Sequence, residues 1–172
     1  PLRLVGSEMC IRDSQYPTEE FLVPEQPVCL HFKEAVQMLR DAGYEVEDLD
    51  DLSTETERAL GKLVRDKYHT DFYMLDKFPL GIRPFYTMPD PADKNYSNSY
   101  DYFMRGQEIL SGAQRIHDAK FLEERLAEAG ITVESMKDYV DAFRMGAPPH
   151  AGGGIGLERV VTVSYTHLRA HE

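Results

Sequence analysis

The sequence lacks several features that would narrow its function at once. Its 172 residues include no tryptophan and only two cysteines, Cys10 and Cys29. Two cysteines cannot build the disulfide framework of a small secreted domain, so a reducing, cytoplasmic setting is expected. No apolar run approaches the roughly 18 residues of a membrane span, so no membrane partner is predicted. The 42% of hydrophobic residues is enough for one packed domain.

Positive charge is scarce as well. The chain has 19 Lys and Arg against 30 Asp and Glu, which gives a formal net charge of −11. Such a chain repels phosphate backbones overall, and this argues against non-specific binding of nucleic acid. A local pocket for a single nucleotide remains compatible with that charge.

The most general catalytic and nucleotide-binding motifs are also missing. The sequence has no G-x-x-x-x-G-K-[ST] loop, no G-x-G-x-x-G fingerprint and no G-x-S-x-G elbow. It has neither H-E-x-x-H nor a pair of C-x-x-C motifs, which argues against the common zinc sites. Function must therefore be sought in more specialised patterns.

The two ends of the chain differ from its middle. Neither "RLVGSEMCIRDS" nor "VSYTHLRAHE" has a clear amphipathic period, and both resemble translated adapter sequence. We therefore expect residues 15–162 to be an internal piece of a longer protein, with non-native segments at 1–14 and 163–172. The alternative is that both ends are ordinary termini.

Four helices are predicted before the glycine-rich stretch near the end. Apolar residues of "HFKEAVQMLRDAG" recur at helical spacing, and Gly43 can end that helix in a left-handed conformation. The segment "STETERALGKLVRDKY" starts at a candidate N-cap, Ser53 or Thr54. Two further helices are predicted around Phe121 and after Thr132.

Aromatic and apolar segments predict the strands. Asp71–Pro79 and Arg83–Pro91 are bounded by Pro or Gly, and Ser99–Asp118 divides into two strands near Gly106. The glycine-rich stretch and a last helix complete the order. Because the strands come in neighbouring pairs, the expected fold class is α+β, with an antiparallel sheet flanked by helices.

The segment "QEILSGAQR" carries polar residues of several kinds. In a regular strand, residues two apart share a face, which would separate Glu108 from Arg115, but a β-bulge at Ser111–Gly112 would bring both into one pocket. Glu108 and Ser111 could then supply oxygen ligands to Mg²⁺, and Arg115 could bind a carboxylate bidentately. Asp101, seven residues before Glu108, is a further candidate for holding a ligand. The alternative is a solvated edge strand with ordinary surface charges.

The stretch "GAPPHAGGGIGLERVV" is rich in residues without a Cβ. The four central glycines are Gly152, Gly153, Gly154 and Gly156. Their backbone could lie flat against a planar ligand. The helix beginning near Leu157 or Glu158 would offer N–H groups and a positive dipole end to phosphate, and Arg159 could stack on a base or meet a phosphate. The alternative is a tight strand-to-helix turn without a ligand.

Three segments together carry a family resemblance. "RPFYTMPDP", "SNSYDYFMRGQEILSGAQRIHD" and "GAPPHAGGGIGLERVV" resemble the catalytic domain of the aspartyl-tRNA synthetases, in the class II form of archaea and the eukaryotic cytosol. The resemblance covers roughly residues 15–162. Asparaginyl and lysyl enzymes differ at "EILSGAQR" and "PPHAGGGIGLER". The bacterial form carries a large insertion before the third motif, and this chain has none.

The resemblance implies a fold, a reaction and partners. The fold is the class II antiparallel sheet flanked by helices. The α-carboxylate of L-aspartate attacks the α-phosphorus of ATP in the presence of Mg²⁺, and the aspartyl group of the adenylate then passes to tRNA. Such chemistry depends mostly on positioning and charge neutralisation. The intact enzyme of this family is a cytoplasmic homodimer.

The resemblance also implies roles for individual residues. Glu108 corresponds to the acid that binds Mg²⁺ and ATP, and Ser111 to its partner at the metal and near aspartate. Arg115 corresponds to the arginine that binds the side-chain carboxylate of aspartate, beside Asp101. The segment that holds ATP also comprises Gly154, Gly156, Leu157, Glu158 and Arg159, the last of these under the adenine.

Departures from the family pattern leave alternatives open. The first and second motifs and the anticodon-binding domain are not found in this sequence, so we expect the isolated chain to be catalytically inactive. One alternative function is a catalytically silent interaction module related to the synthetases. Another is an asparagine-related class II ligase, against which Arg115 argues because a cation favours a negative side chain over a neutral amide.

Overall fold

One five-stranded sheet organises residues 21–165, the part of the chain that this computed structural model describes. Its strands, in both chain order and spatial order, are β1 Val28–His31, β2 Phe72–Asp76, β3 Ser99–Met104, β4 Gln107–Arg115 and β5 His150–Ile155. Strands β2 to β5 pair antiparallel, as predicted. The sequence reading did not include β1, a short edge strand that runs parallel to β2.

Five α-helices accompany the described sheet. They are α1 Phe32–Asp41, α2 Thr54–Tyr68, α3 Ala119–Glu128, α4 Lys137–Arg144 and α5 Leu157–Tyr165. The predicted boundary signals are confirmed at two of them: Gly43 follows α1 with a φ of +91°, and the Ser53 hydroxyl accepts a hydrogen bond from the Thr56 N–H at 3.2 Å. Helix α5 continues across the predicted boundary at residue 162. Among residues 21–165, no helix combines the length and apolarity needed to cross a bilayer.

A first hydrophobic core lies between the sheet and helices α1 and α2. Its largest fully buried side chains are Phe32, Leu39, Leu60, Tyr73, Leu75 and Phe103. The rings of Tyr73 and Phe103 stack at 5.2 Å across β2 and β3. Burying a side chain of this size stabilises a fold by about 1.5–3 kcal/mol, so the sheet face that carries these residues is firmly placed.

A second core lies under α3 and α4, which connect β4 to β5. The buried residues are Ile116, Leu122, Leu126, Val140 and Phe143. Four of these five come from the two helices that the sequence predicts around Phe121 and after Thr132. The Phe143 ring also stacks on His150 of β5 at 5.5 Å, so this helical pair is attached to the strand that begins the glycine-rich stretch.

The predicted bulge in β4 exists, but its predicted position was wrong. Tyr102 pairs with Leu110 and Phe103 with Glu108, so Ile109 is the additional residue. Gly112, which suggested a bulge at Ser111–Gly112, is needed for a different reason. A Cβ at this position would lie 2.6 Å from the Tyr100 ring. The predicted consequence still holds: Glu108 and Arg115 are on one face of the sheet.

The segment 83–91, predicted as a strand, is a series of turns. Prolines at 84, 89 and 91 remove backbone donors, and only isolated bridges form, Thr87 with Arg115 and Pro89 with Ser97. The segment is nevertheless fixed to the end of β4, because the Ile116 N–H donates to the Tyr86 carbonyl at 2.9 Å. It therefore brings new side chains beside the polar face of β4.

The turn between β3 and β4 rests directly on helix α2. A Cβ at Gly61 would lie 2.5 Å from the Cα of Gly106, so the two backbones touch. Gly106 has a φ of +70°, a conformation that glycine adopts without strain. This contact holds the first turns of α2 next to the start of β4.

Candidate active site

One face of the sheet changes from apolar to polar along β3 and β4. In β3, Asp101 lies two residues before the buried Phe103 and on the same face. Asp101 is opposite Ser111 of β4. Because Ile109 is the additional residue, Glu108 and Arg115 share this face with Ser111. The structure thus brings together the four polar residues of β3 and β4 that the sequence singled out.

A cavity of about 270 Å³ opens at the Arg115 end of this face. It is lined by the 83–87 segment, by β4 and by the glycines of β5, and its polar lining includes Arg83, Ser111 and Arg115. Ligand pockets for drug-sized molecules are usually about 300–1,000 Å³, so this cavity suits a smaller molecule. A larger cavity of about 430 Å³ lies between α2 and the β3–β4 turn, away from these groups.

The Arg115 guanidinium is held at the wall of this cavity. Its central carbon lies 5.4 Å from the centre of the Tyr86 ring, within cation–π range. On the other side, a Cβ at Gly152 would lie 3.1 Å from Nη2 of Arg115. Within residues 21–165, no carboxylate forms an ion pair with Arg115. The side chain is therefore a fixed cation that is available to an anionic ligand.

The glycines of β5 meet different neighbours. Gly152 leaves room for Arg115, and a Cβ at Gly153 would lie 3.1 Å from the Ser111 carbonyl oxygen. A Cβ at Gly154 would have nothing within 4 Å among the described atoms. Contact with a ligand therefore stays a prediction for Gly154 and Gly156, whereas at Gly152 the close neighbour is a side chain of the protein.

Sequence reasoning missed Arg83, which connects two of the predicted residues. Its Nη1 donates to Ser111 Oγ at 2.9 Å and its Nη2 donates to Asp101 Oδ2 at 2.6 Å. The guanidinium lies 4.0 Å from the centre of the Phe78 ring. The Arg83 and Asp101 side chains are only 13% and 5% exposed, so this is a largely buried ion pair. The available signal was an arginine directly before a proline, which does not reveal such partners.

Arg159 reaches the other end of β4 from helix α5. Its Nη1 donates to the Glu108 carbonyl oxygen at 3.1 Å and lies 3.5 Å from Glu108 Oε1. The entry to the helix is fixed to the bulge, because the Gly156 N–H donates to the Ile109 carbonyl at 3.0 Å. The Arg159 side chain is 57% exposed, so it has space to turn toward a ligand. Leu157 and Glu158 begin the helix and are exposed.

The carboxyl of Glu108 lies in an environment that disfavours its charge. Burial raises its pKa, and the negative charge of Asp101 raises it further, while Arg159 and Arg83 act in the opposite direction. A cation bound near Glu108 would therefore relieve an unfavourable field. This is the electrostatic situation in which a carboxylate gains from a positively charged ligand.

Glu57 is a second acid that the sequence did not single out. It lies in the first turn of α2, near the contact of that helix with the β3–β4 turn. Burial raises its pKa to about 7, and the charges of Glu108 and Asp51 add to the shift. A glutamate in a first helical turn is normally interpreted as an exposed residue that favours the helix dipole, which concealed its proximity to β4.

The side chains of Asp101, Glu108 and Ser111 on this face carry oxygen atoms of the kind that Mg²⁺ prefers. Asp101 Oδ1 is buried and has no hydrogen-bond partner among the described residues, and Glu108 and Ser111 add two oxygen donors on the same face. Within residues 21–165, no three His, Cys, Asp or Glu side chains form a ready-made metal site. Mg²⁺ commonly takes one or two carboxylates and completes its shell with water and substrate phosphates, so the donor set suits a nucleotide-bound ion.

Comparison with known proteins matches the chain to one family. The family described as tRNA synthetases class II (D, K and N) matches residues 10–168. The chain is 62% identical over 148 residues to the cytoplasmic aspartate–tRNA ligase of Homo sapiens and 61% identical to that of Rattus norvegicus. These matches cover 86% of this chain, which spans about 30% of the length of either relative.

Solved structures give the same grouping. An aspartyl tRNA synthetase from Entamoeba histolytica superimposes with a TM-score of 0.87 at 53% identity, covering 92% of this chain and 32% of that one. An asparaginyl-tRNA synthetase from Pyrococcus horikoshii, complexed with asparaginyl-adenylate, has a TM-score of 0.79 at 27% identity. That second match covers 89% of this chain and 35% of the other.

Proposed function

Because this chain belongs to the class II tRNA synthetases (D, K and N), we propose that the complete protein activates L-aspartate with ATP and transfers it to tRNA. The observation that carries the choice of aspartate is Arg115. It is a fixed cation without a carboxylate partner in the described chain, at the wall of a cavity of about 270 Å³. A small amino acid with an anionic side chain satisfies both the size and the charge.

In this proposal the aspartate lies along β4. Its side-chain carboxylate pairs with Arg115, and planar guanidinium–carboxylate pairing fixes its orientation. Ser111 and Asp101 contact the remainder of the substrate, and the unpartnered Oδ1 of Asp101 is suited to a positively charged group. The α-carboxylate is thereby directed toward the Glu108 end of the face.

ATP would occupy the Glu108 end, against helix α5. The open space beside Gly154 admits a flat ligand, and Gly156, Leu157 and Glu158 present the amino end of the helix to it. Arg159 would leave Glu108 and lie under the adenine. Glu108 would then be free to act on the nucleotide and its metal.

Magnesium is proposed as the ion that accompanies ATP. Glu108 and Ser111 would bind it, with the free oxygen of Asp101 close by, and it would neutralise charge on the phosphates. The residues of this chain supply the oxygen donors and the raised pKa of Glu108, which a cation would bring down again.

Further properties of the complete protein follow from its relatives. We extend to it the cytoplasmic location in the names of the human and rat enzymes. Residues 15–162 would form the C-terminal part of the catalytic domain with the third family motif, and residues 1–14 and 163–172 would be non-native. A homodimer and a tRNA partner are part of the same proposal.

The test uses a chimera, because the chain spans about 30% of the length of its human relative. Residues 15–162 replace the matching segment of the human enzyme, and ATP–pyrophosphate exchange is measured with aspartate, asparagine and lysine in turn. We expect exchange with aspartate alone. The unfused chain serves as a control and should give none.

Other results of the exchange assay would favour one of the two alternative functions. Exchange with asparagine would transfer the chain to an asparagine-related ligase, a neighbour in fold as the Pyrococcus horikoshii structure shows. A folded chimera without any exchange would favour a catalytically silent module. The retained Arg115, Glu108 and Arg159 speak against that module, since it has no chemical need for them.

A further inference from the structure

We propose that Arg83 is a positioning residue that determines which atoms of Asp101 and Ser111 face the substrate. The inference rests on the proposed function of the same cavity and extends it to a residue outside the strands. Arg83 donates to both side chains at once, to Asp101 Oδ2 at 2.6 Å and to Ser111 Oγ at 2.9 Å. Asp101 and Ser111 are paired across β3 and β4, so one guanidinium spans the pair.

The contact divides the two carboxylate oxygens of Asp101. Oδ2 is taken by Arg83, whereas Oδ1 is buried and has no partner among the described residues. An unpartnered buried carboxylate oxygen is costly unless a ligand satisfies it. Arg83 thus restrains the rotation of the carboxylate and leaves Oδ1 unpaired in the described chain, on the sheet face that carries Ser111.

The same contact fixes the role of the Ser111 hydroxyl. A guanidinium has no acceptor, so Ser111 Oγ must accept this hydrogen bond with one of its lone pairs. Its own hydrogen and its second lone pair remain available on the other side. Ser111 can therefore donate to a substrate oxygen or bind a cation, but in either case from one fixed position.

Arg83 is itself held rigidly. Its guanidinium lies 4.0 Å from the centre of the Phe78 ring, a short 3₁₀ turn at Leu80–Ile82 precedes it, and Pro84 follows it. The side chain is only 13% exposed. A pre-organised group of this kind loses little freedom when the ligand binds, which is the property expected of a positioning residue.

The pair also settles the charge of the cavity. Arg83 and Asp101 neutralise one another, so Arg115 is left as the one lining cation without a carboxylate partner within residues 21–165. Removing the charge of Arg83 would leave the buried carboxylate of Asp101 without its cation, beside Ser111 in the cavity wall. The loss should therefore fall mainly on aspartate binding.

The experiment compares Arg83→Gln and Arg83→Lys in the chimera of residues 15–162. Aspartate binding is measured by calorimetry, and KM values for aspartate and ATP come from pyrophosphate exchange. We expect Arg83→Gln to raise the Kd and KM for aspartate at least tenfold with less than a threefold change in the KM for ATP. Arg83→Lys keeps the positive charge but loses the paired N–H donors of the guanidinium, so its increase in the Kd and KM for aspartate should be intermediate.

Arg125→Gln is the matched control. Arg125 is also mostly buried, pairs with one carboxylate, Glu128 at 2.5 Å, and has an Nε without a partner among the described residues, but it lies in α3 outside the cavity. Equal losses of aspartate binding in Arg83→Gln and Arg125→Gln would overturn the proposal by indicating general destabilisation. An unchanged Kd for aspartate in Arg83→Gln would overturn it as well.

A double-mutant cycle with Asp101→Asn tests the mechanism. If Arg83 acts through Asp101, adding Arg83→Gln to Asp101→Asn should increase the aspartate Kd by less than threefold; full additivity would refute the positioning role. The parent chimera separates this proposal from the proposed function. If the parent chimera binds aspartate but catalyses no pyrophosphate exchange, the result counts against the ligase function, while the Arg83 variants can still be compared by their aspartate Kd. If the parent chimera does not bind aspartate, both the proposed function and the role of Arg83 are overturned.

Discussion

The two ends of β4 differ in chemistry although one short strand joins them. At the Glu108 end, carboxyls accumulate: burial and neighbouring acids raise the pKa of Glu108 and bring that of Glu57 to about 7. At the Arg115 end, a guanidinium lies between the Tyr86 ring and the Gly152 backbone, with no carboxylate paired to it in the described chain. The strand therefore has an acidic end and a basic end on the same face.

This contrast indicates how a single bulge could serve a site with two opposite requirements. The proposed amino acid and nucleotide would need cations for their anionic groups, and the proposed metal ion would need anions. Ile109, as the additional residue, places the acid and the arginine on one face but at a distance along it. Glu108 and Arg115 are thus kept apart on one face instead of pairing with one another.

Removing the basic end should have the largest effect. In the chimera, Arg115→Leu should lower kcat/KM for aspartate by about 1,000-fold, because losing one partner of a buried charge pair costs about 4 kcal/mol. Pyrophosphate exchange measures the effect. Arg144→Leu is the control, since that arginine is exposed on α4 and pairs with Asp141 and Glu123. Near-normal kinetics in Arg115→Leu would remove Arg115 from the site.

Neutralising the acidic end should have the next largest effect. Glu108→Gln keeps the shape of the side chain and removes its charge, so exchange should fall by about 100-fold, or about 3 kcal/mol, and more Mg²⁺ should be needed for half-maximal rate. A magnesium titration of the exchange rate measures this. Glu128→Gln, at an exposed acid paired with Arg125, should leave the titration unchanged. An unaltered magnesium requirement in Glu108→Gln would show that Glu108 does not bind the ion.

Two glycine substitutions should distinguish the Arg115 end of β4 from its Glu108 end, each by a change of about tenfold in the KM of one substrate. In Gly152→Ala, the new Cβ lies 3.1 Å from Arg115 Nη2, so the guanidinium must shift and the KM for aspartate should rise by about tenfold, or about 1.4 kcal/mol. In Gly154→Ala, the Cβ meets no described atom within 4 Å. That variant should keep its KM for aspartate and raise the KM for ATP. The reverse pattern would contradict both assignments.

A separate effect, on stability and not on catalysis, concerns the pH dependence of unfolding. The folded chain keeps the Glu57 proton up to pH about 7, against an ordinary pKa of 4.5, so it binds more protons than the unfolded chain between these values. The contribution of Glu57 to the free energy of unfolding therefore falls as pH rises from 4.5 to 7 and is constant above that. Glu57→Gln should flatten this part of the curve.

Urea unfolding at several pH values between 4.5 and 8 measures that slope. Glu55→Gln, two residues earlier in α2 and exposed, should keep the slope of the parent chain. If Glu57→Gln retained the parent slope too, then Glu57 would not be the group whose proton affinity changes on folding.

Local features of the fold were predictable because their causes are local. The Ser53 cap and the positive φ of Gly43 depend on a few neighbouring residues, and each carries a clear residue preference. The inward residues of α3 and α4 follow from the helical period in the same way. Within 21–165, the short strand β1 escaped because four residues are too few to show a period.

The parts of the site that escaped prediction depend on distant contacts. Gly112 suggested a bulge at its own position, but it is required by the Tyr100 ring on the neighbouring strand. Arg83 lies 18 and 28 residues before its site partners Asp101 and Ser111. Glu57 lies 51 residues before Glu108. No spacing rule connects a residue in a proline-rich turn, or one at the start of a helix, with a strand that far along the chain.

The touching backbones of Gly61 and Gly106 have a mechanical consequence. A contact between side chains can absorb movement by changing rotamers, whereas a contact between two main chains has no such compliance. The β3–β4 turn and helix α2 should therefore move together and not slide past one another. The distance between Glu57 and Glu108 is accordingly set by backbone packing, so it should vary little when side chains change rotamer.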